Sequence, residues 1–211
     1  MAPFGASRAG LMSVDRDDIP DSVVLPEADD LTHFDGDTGA FEINDDSPVI
    51  YTDENDLSLK QTSAQSIIYS TSGLETYPEA GETISCYIYE DDDGPAPLAI
   101  FGLQDSDSFY GFGPVQDRIV IKKDGITGRD ETVSESADTN VEEWFDYELE
   151  WGTDGGLDLT AYEVDQETGE RLSEVGSASV NDSDYDDGGV GFAGASSSGL
   201  ATWDYYRVTD R

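Results

Sequence analysis

Asp146, Glu148 and Glu150 alternate along the run Trp144-Phe145-Asp146-Tyr147-Glu148-Leu149-Glu150-Trp151. Carboxyl groups sharing one side of a strand could attack a glycosidic bond, and a retaining hydrolase needs two of them about 5 Å apart. Composition weakens that idea. The chain of 211 residues has 48 acidic residues against 10 basic ones, a net charge of −38. An acidic triplet is therefore expected by chance. Ser–His–Asp chemistry would have to use His33, the only histidine, and there is no Gly-x-Ser-x-Gly elbow. One histidine and one cysteine, Cys86, cannot furnish a tetrahedral zinc site. The chemistry on offer points away from an enzyme. Cys86 lies in an alternating run and reads as a small buried hydrophobe.

The elements that carry these residues follow from a period of two. Phe145, Tyr147, Leu149 and Trp151 are apolar at every second position, with acids between them. This predicts a strand with one buried and one wet face, the acids forming the wet one. Residues 152–156 supply turn chemistry through Asp154-Gly155-Gly156, and a second strand follows over 157–164. Further strands are expected at 31–34 and 39–43 as an opening pair. Others are expected at 49–51, 57–61, 66–71, 83–90, 98–104, 108–112, 118–122, 172–175, 189–195 and 201–209. Residues 90–95 must turn, and 128–140 read as a polar surface loop. No window keeps helical apolar spacing. The fold class is all-β, with two packed antiparallel sheets.

The acids are dispersed between apolar residues instead of forming one block. Molar salt shortens the Debye length to about 3 Å and screens such a charge. This is the habit of proteins from extreme halophiles, so the charge speaks of environment. With no basic stripe, nucleic acid is excluded as a partner. No apolar window reaches the length of a membrane span, and no secretory signal is seen. Residues 1–30 differ from the rest. They lack a period, and Pro20 and Pro26 forbid a long helix. Two readings stay open, a tail or an extended docking arm. Phe4, Leu11 and Met12 favour an arm that docks on another subunit, and hence a homo-oligomer. The division is an arm at 1–30 and one domain at 31–211.

The C-terminal part resembles the concanavalin A-like lectin/glucanase superfamily in its laminin-G-like branch. Three features carry the resemblance: the 144–164 hairpin, Gly188-Gly189-Val190-Gly191-Phe192-Ala193, and the closing Trp203-Asp204-Tyr205-Tyr206-Arg207-Val208. It implies a jelly-roll β-sandwich. Glucanase members carry Glu-x-Asp-x-x-Glu, from which Asp146-Tyr147-Glu148-Leu149-Glu150 departs. The resemblance also implies a structural calcium ion, held by Asp35 and Asp204 with Asp186 and Asp187 as second choices. Glycan binding would use aromatics as flat platforms, and the candidates at strand ends and loops are Tyr110, Phe112, Trp144, Tyr162 and Tyr185. The start Pro3-Phe4-Gly5-Ala6-Ser7-Arg8-Ala9-Gly10, on an acidic jelly-roll, resembles tail, fibre or vertex proteins of tailed viruses of halophilic archaea. That implies a non-catalytic virion protein, assembled in a high-salt host cytoplasm, that binds host surface glycans. The alternatives are a carbohydrate-binding module of a cellular halophile protein and, last, an acidic glycosidase.

Overall fold

A computed structural model describes residues 31–44, 58–74, 77–115, 117–126, 131–136, 139, 142–166, 168–194 and 201–210, apart from 91–95. Two seven-stranded antiparallel sheets pack face to face as a jelly-roll sandwich. The front sheet runs, edge to edge, Arg171–Asn181 (β12), Gly156–Val164 (β11), Trp144–Trp151 (β10), Glu82–Glu90 (β5), Ala201–Asp210 (β14), Ser58–Gln61 (β3) and Phe41–Asn44 (β2). The back sheet runs Asp35–Gly36 (β1), Ser66–Ser70 (β4), Gly189–Gly194 (β13), Pro97–Asp105 (β6), Ser108–Pro114 (β7), Arg118–Lys123 (β8) and Glu131–Ser136 (β9). Among the described residues no helix is long and apolar enough to cross a membrane.

Alternation places the core. Phe145, Tyr147, Leu149 and Trp151 point inward from β10, as do Ile84, Cys86 and Ile88 from β5. They meet Ile68, Phe101, Phe112 and Phe192 of the back sheet. Phe101 stands edge-on to Trp151 at 5.0 Å, and Phe192 edge-on to Tyr206 at 5.6 Å. Such pairs add about 0.5–1.5 kcal/mol each beyond area burial. The β10–β11 turn is closed by Gly155 at φ +84°, a conformation glycine takes without a Cβ clash.

Four expectations change. Residues 31–34 form a turn, closed by the Phe34 N–H on the Leu31 carbonyl at 3.0 Å. The opening strands do not pair with each other. β1 pairs with β4 in the back sheet, the 3₁₀ turn Thr38–Ala40 crosses over, and β2 pairs with β3 in the front sheet. The loop expected at 128–140 contains β9, and the short strand at 172–175 is the eleven-residue β12. Both are edge strands, where a polar sequence is tolerated and protective. The strand expected at 49–51 and the arm at 1–30, with Phe4, Leu11 and Met12, lie outside the described residues.

Candidate functional site

β10 runs through the middle of one half of the front sheet, between β5 and β11. Asp146 pairs in register with Tyr87 on one side and Tyr162 on the other. All three face away from the core. Contrary to the wet-face expectation, the Asp146 side chain is 0% exposed while Glu148, two residues on, is 24% exposed. Two arginines close over it. Arg171 starts on β12 and crosses β11. Its Nε donates to Asp146 Oδ2 at 2.6 Å, and its Nη1 lies 2.8 Å from Glu148 Oε2. Arg207 starts on β14 and crosses β5 above the small Ser85, bringing Nη2 within 3.7 Å of the same Oδ2. Each guanidinium lies over a tyrosine ring: Arg171 over Tyr162 at 4.3 Å, Arg207 over Tyr205 at 5.5 Å. One buried carboxylate is thus flanked by two arginine–tyrosine pairs.

Burial pushes the Asp146 carboxyl up from its ordinary range, and the pull of Arg171 and Arg207 offsets this only in part. For Arg171 burial acts downward, but Asp146 and Glu148 hold the guanidinium above its ordinary value. Tyr162 is raised by burial and then by the charge of Glu148.

The backbone departs from regularity around this face. The β11–β12 register shifts between Ala161 and Tyr162 and again between Glu163 and Val164. The β14–β5 register shifts between Asp204 and Arg207, where Tyr205 takes φ +51°. Left-handed φ is uncommon for a bulky residue, and bulges re-aim side chains next to functional sites. Here they deliver Tyr205 and Arg207 to the same face. The turn after Val164 folds over one end. Gly169 accepts from the Tyr87 hydroxyl at 2.9 Å, and the Gln166 side chain bonds the Trp144 N–H and carbonyl at 2.9 and 3.1 Å.

The five aromatic candidates do not gather. Tyr110, Phe112 and Trp144 are 0%, 0% and 1% exposed. Their rings are inaccessible as platforms: Tyr110 and Phe112 pack on Phe101 in the core, and Trp144 packs on Tyr89 at 5.4 Å. Tyr162 and Tyr185 are half-buried. The two calcium candidates stand on different sheets. Asp35 is exposed on the back sheet's edge strand, whereas Asp204 lies in the front sheet beside Tyr87. Among the described residues, no three His, Cys, Asp or Glu side chains gather to hold a metal. The backbone carbonyls of Asp186 and Asp187 are taken by Ala80 N–H at 2.8 Å and Gln104 Nε2 at 2.7 Å.

Tyr185 belongs to a second cluster, in the loop between β12 and β13. Lys123 Nζ donates to Asp182 at 2.8 and 3.0 Å and bonds Asp184. The Tyr110 hydroxyl donates to Asp182, and the Tyr185 hydroxyl donates to Asp124 Oδ1 at 2.7 Å. Burial acts upward on Asp182, but the bonds from Lys123 and Tyr110 win and lower it. The bonds to Asp182 and then Asp184 raise Lys123. Burial, then the Asp182 bond, raises Tyr110.

Arg171 and Arg207 were not among the sequence candidates. Their signal was scarcity, since the chain has only ten cations among 48 acids. The adjacent Tyr205-Tyr206, breaking the alternation of the closing strand, was the signal for the bulge.

No protein-family profile matches the sequence, and no curated protein matches it. Solved structures share the architecture. The carbohydrate-binding module CBM66 from Bacillus subtilis superposes with a TM-score of 0.55 at 12% identity, covering 85% of this chain and 96% of that one. The globular domain of T. cruzi calreticulin gives 0.55 at 11% identity, covering 86% and 85%. At these identities the likeness is one of fold, a two-sheet jelly-roll.

Proposed function

We propose that this chain is a non-catalytic glycan-binding jelly-roll, and that its binding face is the outer side of the front sheet around Asp146. One observation carries the proposal: three register shifts and the left-handed Tyr205 converge on that face. Strained backbone is retained where the surroundings over-determine it, and functional sites are where it clusters. Tyr162 and Tyr205 are half-buried, each with an arginine over its ring, and offer the apolar ring surface that the arginines leave, while Glu148 accepts hydroxyl protons. Asp146 and Glu148 are both engaged by Arg171, an arrangement suited to fixing a surface and poorly suited to moving a proton. The fold it has in common with a carbohydrate-binding module supports the reading.

The setting we propose is molar salt, on a virus particle of a halophile facing host surface glycans. Residues 1–30 would dock the chain to a neighbouring subunit. The acidic composition and the N-terminal resemblance support that setting. The test is a glycan array probed in molar KCl with the wild-type chain and with Tyr162→Ala. Binding that the substitution weakens at least tenfold is expected. Binding to nothing, or binding that Tyr162→Ala leaves intact, overturns the assignment of this face.

A further inference from the structure

Tyr162 on β11 and Tyr205 on β14 are separated by β10 and β5. Three strand spacings of about 4.8 Å set them about 14 Å apart across the sheet. Between them lie the Arg171 guanidinium, the sealed Asp146 carboxylate and the Arg207 guanidinium. The two tyrosines are each stiffened by an arginine, so they are fixed at this separation rather than free to converge. One sugar ring covers one phenol. A chain of three or more rings is needed to touch both.

Charge narrows the ligand further. In molar salt only groups in near contact act on one another, since screening sets in within about 3 Å. Both guanidiniums on this face are matched by carboxylates: Arg171 by Asp146 and Glu148, Arg207 by Asp146. Glu174, exposed and in register with Tyr162, adds negative charge at the β12 edge. An anionic sugar would meet the accessible carboxylates of Glu148 and Glu174, whereas hydroxyl groups can donate to them.

We infer that the ligand is a neutral oligosaccharide of at least three units, lying across the strands from Tyr162 to Tyr205. This rests on the glycan-binding reading above. The experiment is calorimetry in molar KCl with neutral gluco-, manno-, galacto- and fructo-oligosaccharides of one to six units, and with oligouronates of the same lengths. Affinity should rise at least tenfold between two and four units and then level. Tyr205→Asn, which removes the ring and tolerates the left-handed backbone, should abolish that rise. Its melting temperature, measured alongside, excludes loss of fold, and Arg207→Gln should flatten the rise independently. Affinity that is flat with length overturns the inference while glycan binding stands. Tighter binding of oligouronates overturns the neutral class. Binding of no sugar at any length overturns the glycan-binding reading itself.

Discussion

Arg171 Nε lies 2.6 Å from Asp146 Oδ2, and the contact joins β12 to β10 over the top of β11. The two partners are unequally exposed, 31% for the Arg171 side chain and 0% for Asp146. Losing one is therefore not the same as losing the other. Arg171→Met strands a buried carboxylate with only Arg207 near it, and breaking such a pair costs about 3–5 kcal/mol. Asp146→Asn leaves an arginine that keeps Glu148 and reaches water, so it should cost about 1–2 kcal/mol. The double variant should lose less than the sum, because each loss includes the other's orphan. Urea unfolding in molar KCl measures all three. Equal costs for the two single variants would remove the asymmetry claimed here.

The pH dependence of that variant has a definite sign. With Arg171 gone, burial raises the Asp146 carboxyl with less opposition. A raised folded value favours the protonated native state. Its benefit is present below the unfolded value of about 3.9 and is lost as pH rises through the folded one. The deficit of Arg171→Met should grow with rising pH above about 4. A deficit that shrinks over that range contradicts the burial of Asp146.

Tyr205 and Tyr206 are adjacent, yet they should respond unequally to truncation. Tyr206 is fully buried, stands against Phe192 and donates to the Ile100 carbonyl at 3.1 Å. Tyr206→Ala should cost about 3–5 kcal/mol. Tyr205→Gly loses a half-buried ring but relieves a left-handed φ that costs about 1–2 kcal/mol. It should stay within about 1 kcal/mol of wild type. Chemical denaturation of the two variants side by side checks this, and a large loss in Tyr205→Gly would mean that its packing outweighs the strain.

The hairpin at 144–164 was legible because its signals are local. Tyr147, Leu149 and Trp151 alternate, and the glycines follow at once. The burial of Asp146 was not legible, because what covers it is carried on other strands. Arg171 arrives from two strands away on one side and Arg207 from two strands away on the other. Alternation assigns a residue to a face but does not say whether long side chains will close over that face. The same limit explains Tyr110 and Phe112. Their positions near strand ends suggested platforms, but the sheet turns both rings onto Phe101. β9, and β12 beyond residues 172–175, were hidden for the opposite reason: an edge strand needs little apolar sequence, so Glu131–Ser136 looks like a loop.

The two ion clusters should separate under salt. The Asp146 carboxylate is fully buried, whereas Lys123 meets Asp184, whose side chain is 69% exposed. Buried pairs are screened little, and exposed ones fade beyond a Debye length. Lys123→Met should cost about 1–2 kcal/mol at the low end of the salt range. The loss should shrink as KCl rises from about 1 to about 4 M. The loss from Arg171→Met should stay nearly constant over the same range. In Lys123→Met the pH profile should change as well. Asp182 is lowered in the native chain, so its contribution is present above the ordinary carboxylate range and lost as pH falls through the folded value. Tyr110 and Lys123 are raised, so theirs hold below about 10 and are lost above it. The gap between wild type and Lys123→Met should be widest between about pH 5 and 9 and close toward both extremes. Melting curves across a grid of pH and KCl read both effects. A Lys123→Met deficit that is insensitive to salt would mean that this lysine acts through packing against Tyr110 and Tyr185 and not through its charge.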